Sequence, residues 1–158
     1  MTDRHLPDEA QTAAALRGTD PDLAERYQAQ LPGASATVLA RLWGALAREP
    51  IAGLRTRHRD GDDLVVVLAD GRRLRGPARL AEPFAEPPGP WALGLDPAGD
   101  PADAGTDRAG SAGTTAVTAP WALVTALGLP GASGRLAAEV ANSVANLALA
   151  RAALPPPS

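Results

Sequence analysis

The side chains best placed for chemistry are Glu139, Asn142, Ser143 and Asn146, spaced 3-1-3 along the stretch Gly134 to Leu154. On a helix that spacing gathers a carboxylate, two amides and a hydroxyl into one stripe. Such groups hold ligands or backbone by hydrogen bonds. An asparagine inside a helix costs about 0.6 kcal/mol against alanine. Two readings follow. In one, the stripe is the solvated face that many helices carry. In the other, the amides bond backbone or ligand groups at an interface, where an unmade buried bond costs about 1–3 kcal/mol. The four residues are therefore interface candidates. No residue is assigned a catalytic, cofactor-binding or metal-binding role.

The remaining reactive types form no recognisable constellation. His5 and His58 are the only histidines, and they lie far apart in the chain. Neither has ligand spacing to a partner, so His58 reads as an ordinary packed or surface strand residue. Asp96, Asp100, Asp103 and Asp107 lack the calcium-loop rhythm and its closing glutamate, and read as solvated linker. Asp60, Asp62, Asp63 and Asp70 cluster at two hairpin ends, where turns favour aspartate for backbone reasons. Arg55, Arg57, Arg59, Arg72, Arg73 and Arg75 form a local basic patch. It reads as an exposed sheet face that discourages edge pairing, with anion or carboxylate binding as the alternative.

Composition narrows the function classes. The 158-residue chain carries a net charge of −3 and its cations are all arginine. That balance argues against general nucleic-acid binding. With no lysine there is no Schiff-base amine and no P-loop lysine. With no cysteine, thiolate catalysis, disulfides and Cys-ligated metals are excluded. No stretch has the length of a transmembrane helix and the first residues lack a signal-peptide core, so a cytoplasmic location without membrane contact is expected.

The elements that must position these residues can be read from periodicity. Residues 7–17 predict a helix, with a proline and acids at its positive end. A second helix is predicted to begin at Thr19-Asp20-Pro21-Asp22 and to run to about Gln30, broken at Pro32-Gly33. A third, Ala36–Glu49, is capped by Ser35 and carries Val38, Leu39, Leu42, Trp43 and Leu46 as its core face. The period then changes. Residues 53–59 alternate, Asp63–Ala69 is an apolar run, and Arg72–Arg75 follows and is closed by Gly76-Pro77, with tight-turn signals at Asp60-Gly61 and Asp70-Gly71. This predicts a three-stranded antiparallel meander, extended to four by a short strand near Leu80–Phe84. Residues 85–95 read as irregular, and residues 96–116 as a flexible low-complexity loop. A helix beginning at Thr118 or Pro120, with Trp121, Leu123, Val124 and Leu127 as its apolar residues, stops at Gly128. The last helix carries Leu136, Val140, Val144, Leu147 and Leu154 on one face. The fold class is α+β: N-terminal helices, a small antiparallel meander and two C-terminal helices. Its expected divisions are a helical extension over 1–34, a module over 35–153 and a proline-rich tail over 154–158.

The order of these segments carries a resemblance. LWGALAREPIAGLRTR, DLVVVLADGRRLRG, PWALVTALGLPG and RLAAEVANSVANLALARA follow one another, and the sharpest part is Glu139 through Ala150, an acid followed by NSVANLALA. Over residues 35–153 the chain resembles the amino-terminal portion of the IucA/IucC family, the NRPS-independent siderophore synthetases. The resemblance implies a thumb-like segment of a cupped-hand fold. In the complete family enzyme, ATP and Mg²⁺ serve to adenylate a carboxylate, commonly of citrate, which is condensed with an amine or hydroxyl. The family's nucleotide signature, a His-Pro-x-x-His-Pro-like run followed by a lysine, has no counterpart here. The expectation is therefore a truncated or standalone piece without ligase activity or cofactor of its own. A further protein domain or a second copy would be its partner. The alternative is a small non-catalytic protein-interaction module.

Overall fold

The computed structural model describes residues 7–49, 54–98, 113–128 and 133–155. These residues form an α+β protein with four α-helices and one five-stranded antiparallel sheet. The chain divides into a helical unit, Met1–Val38 with Ala119–Ser158, and a sheet unit, Leu39–Thr118.

In the helical unit, α1 spans Glu9–Thr19 and opens with a reciprocal capping box. Asp8 Oδ1 accepts from the Gln11 backbone N–H at 2.9 Å, and Gln11 Oε1 accepts from the Asp8 N–H at 3.0 Å. Two of the orphan donors of the first turn are thereby satisfied. The second helix, α2, spans Pro21–Arg48 without interruption, and the unit boundary falls inside it. The predicted break at Pro32-Gly33 is thus a correction. A proline inside a helix costs about 3 kcal/mol through a lost hydrogen bond and a steric clash. Burial on either side of it outweighs that local term: Tyr27, Ala34, Ala36 and Val38 are all buried. Helix α3 spans Pro120–Leu127, with proline in its first turn and Gly128 ending it in the left-handed conformation, φ 58°. Helix α4 spans Ser133–Ala153.

Helix α4 packs against α3 and α1. Its buried face is Val140, Val144, Ala145, Ala148 and Ala152. The leucine-centred face expected from the sequence is rotated toward alanine: Leu136 and Leu147 are only partly covered, and Leu154 is 67 % exposed. Small side chains let neighbouring backbones approach closely, and that contact decides which face turns inward. Two arginines tie α4 to the part of α2 that lies in the helical unit. Arg26 Nε donates to the Ala152 carbonyl at 3.2 Å, and Arg151 Nη2 donates to Thr37 Oγ1 at 3.0 Å.

In the sheet unit, β1 (Leu54–Asp60), β2 (Asp63–Leu68) and β3 (Arg73–Pro77) form the predicted meander. Gly61 and Gly71 supply the positive φ that its two turns require, 63° and 91°. The short fourth strand expected near Leu80–Phe84 is replaced by a 3₁₀ turn, Ala78–Ala81. The sheet continues instead at β4 (Leu93–Asp96) and β5 (Thr115–Val117), in the order β1-β2-β3-β4-β5. Leu74 lies opposite Leu95, and Leu93 opposite Val117. These strands occupy the end of the stretch read as irregular and the two ends of the 96–116 loop. Residues 99–112 of that loop lie outside the described residues. Such short strands carry little signal of their own and form because partners distant in sequence complete the ladder.

The last turns of α2 belong to this unit. Leu39, Trp43 and Leu46 are buried, as predicted for that helix face, and Leu42 is only partly covered. Strand β1, at the sheet edge, is almost wholly exposed, whereas β2 is largely covered on both faces. Charged side chains on an edge strand blunt pairing with other chains.

Phe84 is the one non-glycine residue with positive φ among the described residues, 61°, and its ring is wholly exposed. A bulky residue in that conformation costs about 1–2 kcal/mol. Phe84→Gly is expected to raise stability by up to about 1 kcal/mol, because relief of strain exceeds the added unfolded-chain entropy. A urea titration comparing the two chains measures this, and a loss of stability would contradict it.

Candidate functional site

The stripe read from the sequence sits on α4 as a wired row. Asn142 is its centre. Its Nδ2 donates to the Pro7 carbonyl at 2.9 Å, and its Oδ1 accepts from Asn146 Nδ2 at 3.0 Å. Ser143 Oγ donates to the Glu139 carbonyl one turn back, at 2.9 Å. Glu139 Oε1 meets Arg135 Nε at 3.1 Å, an i,i+4 ion pair near the start of the helix. The two readings are thus divided among the residues. Asn142 bonds backbone from a distant part of the chain, while Ser143 and Asn146 are exposed and, among the described residues, bond within their own helix.

Asn142 and Asn146 should therefore behave differently. Asn142→Ala removes the bond that holds the entry to α1, and is expected to destabilise the helical unit by about 0.5–1.5 kcal/mol. Asn146→Ala gives up an exposed bond and gains helix propensity, so its net effect should lie within about 0.5 kcal/mol of zero. Thermal melts of both variants check the contrast. Equal losses would show that the row acts as one unit.

Beside this row the helical unit holds an open groove of about 520 Å³. The entry to α1 supplies Asp8 and Glu9, α2 supplies Gln28 and Leu31, α3 supplies Trp121, and α4 supplies Ala137 and Ala141. Trp121, 49 % exposed, is part of this lining. Thr125 Oγ1 donates to the Trp121 carbonyl at 3.0 Å. The groove's charged lining is two carboxylates, and neither has a salt-bridge partner among the described residues. Burial first, and then the neighbouring Asp8 charge, holds the Glu9 carboxyl above its ordinary value of 4.5.

That shift sets a pH dependence. The folded chain binds the Glu9 proton more tightly than the unfolded chain does. The resulting stabilisation is complete below 4.5 and is lost as pH rises through the raised folded value. Glu9→Gln, which carries no titrating proton, is expected to gain on the native chain as pH rises. The two stability curves should converge in acid. Urea midpoints from pH 3 to pH 7 test this, and a gap that widens in acid would refute it.

The hairpin aspartates and the arginine patch are placed in structural work. Asp60 accepts from Arg75 Nη1 at 2.8 Å, and Asp63 forms a looser ion pair with the same nitrogen at 3.7 Å. Asp70 accepts from the Arg72 backbone N–H at 3.0 Å and from Arg72 Nε at 2.6 Å, which holds its carboxyl below its ordinary value. Arg57 was expected on a solvated face. It reaches the end of α2, where Nε donates to the Leu46 carbonyl at 2.6 Å and Nη2 to the Glu49 carbonyl. A cation there satisfies orphan carbonyls and complements the negative end of the helix dipole. His58 is an exposed residue of β1.

Sequence reasoning found the α4 row and missed the groove. Asp8 and Glu9 read only as a helix start, and Trp121 only as part of an apolar stripe. A tryptophan directly after the helix-opening Pro120 was the available signal. Among the described residues no group of three or more His, Cys, Asp or Glu is placed to hold a metal ion. No described helix is long and apolar enough to cross a membrane. The groove's lining offers groups suited to recognition, two carboxylates, an amide and an indole. Compared with models of protein families, with curated proteins and with solved structures, the chain matches none.

Proposed function

We propose that this chain is the amino-terminal, thumb-like portion of a siderophore synthetase of the IucA/IucC type, located in the cytoplasm and non-catalytic by itself. In the complete enzyme ATP and Mg²⁺ would drive condensation of a carboxylate with an amine or hydroxyl, and the residues that hold them would lie outside this chain. The observation that carries the reading is the state of α4. It buries an alanine-rich face on its own unit while the row Glu139, Asn142, Ser143 and Asn146, part of the resembling segment, runs along a partly open side. A helix so covered on one side, with exposed amide and hydroxyl groups on another, supports packing against further polypeptide.

The test is ATP–pyrophosphate exchange with citrate. The purified chain alone is expected to give none. Added to a family catalytic region that lacks its own amino-terminal segment, it is expected to restore exchange. Exchange by the isolated chain, or no restoration in the mixture, would overturn the proposal. The second reading, a small interaction module of another kind, is favoured by the half-exposed Trp121 in its groove. The DNA beyond codon 158 separates the two, since a frame encoding the His-Pro-x-x-His-Pro run and lysine supports the synthetase.

A further inference from the structure

The groove on the helical unit has a definite chemistry. Trp121 brings an indole to its lining, Leu31 and Ala141 bring apolar side chains, and the entry to α1 brings Asp8 and Glu9. Its size falls within the range of about 300–1,000 Å³ typical of small-ligand sites. Asp8 spends Oδ1 on its own helix cap, which leaves Oδ2 without a bond among the described residues. Glu9 has no ion-pair partner there either, and its carboxyl is partly buried beside a like charge. The positive end of α1 offsets part of the charge of these neighbouring carboxylates, and a positive group arriving beside them would relieve the repulsion that remains. The indole narrows the choice of cation. A planar guanidinium stacks on an indole and forks to carboxylates at the same time, which a compact ammonium does less well. Leu31, Ala137 and Ala141 in the same lining suit aliphatic neighbours flanking that group.

We propose that this groove receives an arginine side chain carried on a short apolar segment of a partner polypeptide, the guanidinium lying against Trp121 and reaching Asp8 and Glu9. The inference rests on the docking part of the proposed function and adds the partner's chemistry.

The experiment uses the full chain, labelled with ¹⁵N, and the peptide acetyl-Ala-Leu-Arg-Ala-Leu-amide. The Trp121 indole N–H is followed by NMR and assigned with Trp121→Phe. Its resonance is expected to shift and saturate. Replacing arginine by citrulline, which keeps the shape and removes the charge, should weaken binding about tenfold. Glu9→Gln, read by the same resonance, and Trp121→Ala, read by the backbone amides of Glu9 and Ala141, should each do the same, with unchanged circular dichroism showing that both chains still fold. An unmoved Trp121 resonance, or equal binding of the citrulline peptide, would overturn the inference. So would ethylguanidinium binding as tightly as the peptide, because the apolar segment would then contribute nothing. None of these readings uses nucleotide or citrate, so the exchange assay can succeed while this one fails.

Discussion

Replacing Trp43 by alanine is expected to destabilise the sheet unit by about 3–5 kcal/mol, the usual loss for truncating a buried aromatic. Trp43 is wholly buried, and its Nε1–H donates to the Pro77 carbonyl at 3.0 Å. It is the largest of the fully buried side chains, in a chain with only 3 % aromatic residues. The unit otherwise relies on leucine, valine and alanine, which cannot refill the space. A loss of that size approaches the whole stability of a typical small domain, about 5–15 kcal/mol. Trp43→Phe keeps most of the ring and removes only the donor. It should cost less, about 1–3 kcal/mol, through the unpaired Pro77 carbonyl and the smaller volume. Amide hydrogen exchange in β2 and β3 reads this unit directly. Protection unchanged within about 1 kcal/mol in Trp43→Ala would mean that the tryptophan is not the keystone of this core.

The second large effect lies on the other side of the same contact. A methyl group at Gly76 would stand 2.4 Å from Leu93 Cδ2 and 3.0 Å from Trp43 Cε2. Gly76 is buried in β3, opposite Leu64. Leu93 is itself wholly buried, so its methyl has little room to retreat, and the indole is rigid. Gly76→Ala is therefore expected to cost about 1–3 kcal/mol through overpacking. Shortening the obstructing side chain should relieve it. Gly76→Ala with Leu93→Val should be more stable than the sum of the two single losses predicts, by about 0.5 kcal/mol or more. Strictly additive losses in urea unfolding would show that the clash is absorbed elsewhere.

These two residues mark how far sequence reaches. Trp43 was legible as core because it lies on an apolar stripe at helical spacing. Gly76 read only as the close of a strand, since nothing local announces that an indole and a leucine will converge on it. The hairpins at Asp60-Gly61 and Asp70-Gly71 were legible because positive φ is a local demand that glycine meets at little cost. Strands β4 and β5 were not, because their pairing joins segments separated by residues of low complexity. Pro32 was misread for the opposite reason: its penalty is local and visible, while the burial that overrides it is tertiary. At the candidate site, the spacing of Glu139, Asn142, Ser143 and Asn146 was legible as one helical row. Asn142's bond to the Pro7 carbonyl was not, since it spans almost the whole chain.

By itself, then, the order of residues determined the fold class, the central hairpins, the polar row on the last helix and the types of chemistry that missing lysine and cysteine forbid. Those follow from backbone preference and from side-chain identity, which act over a few residues. Tertiary structure alone decided which face of α4 turns inward, which arginine caps α2, and that Asp8, Glu9 and Trp121 share one groove. These are outcomes of close packing and charge proximity between segments far apart in the chain, and no local pattern encodes them.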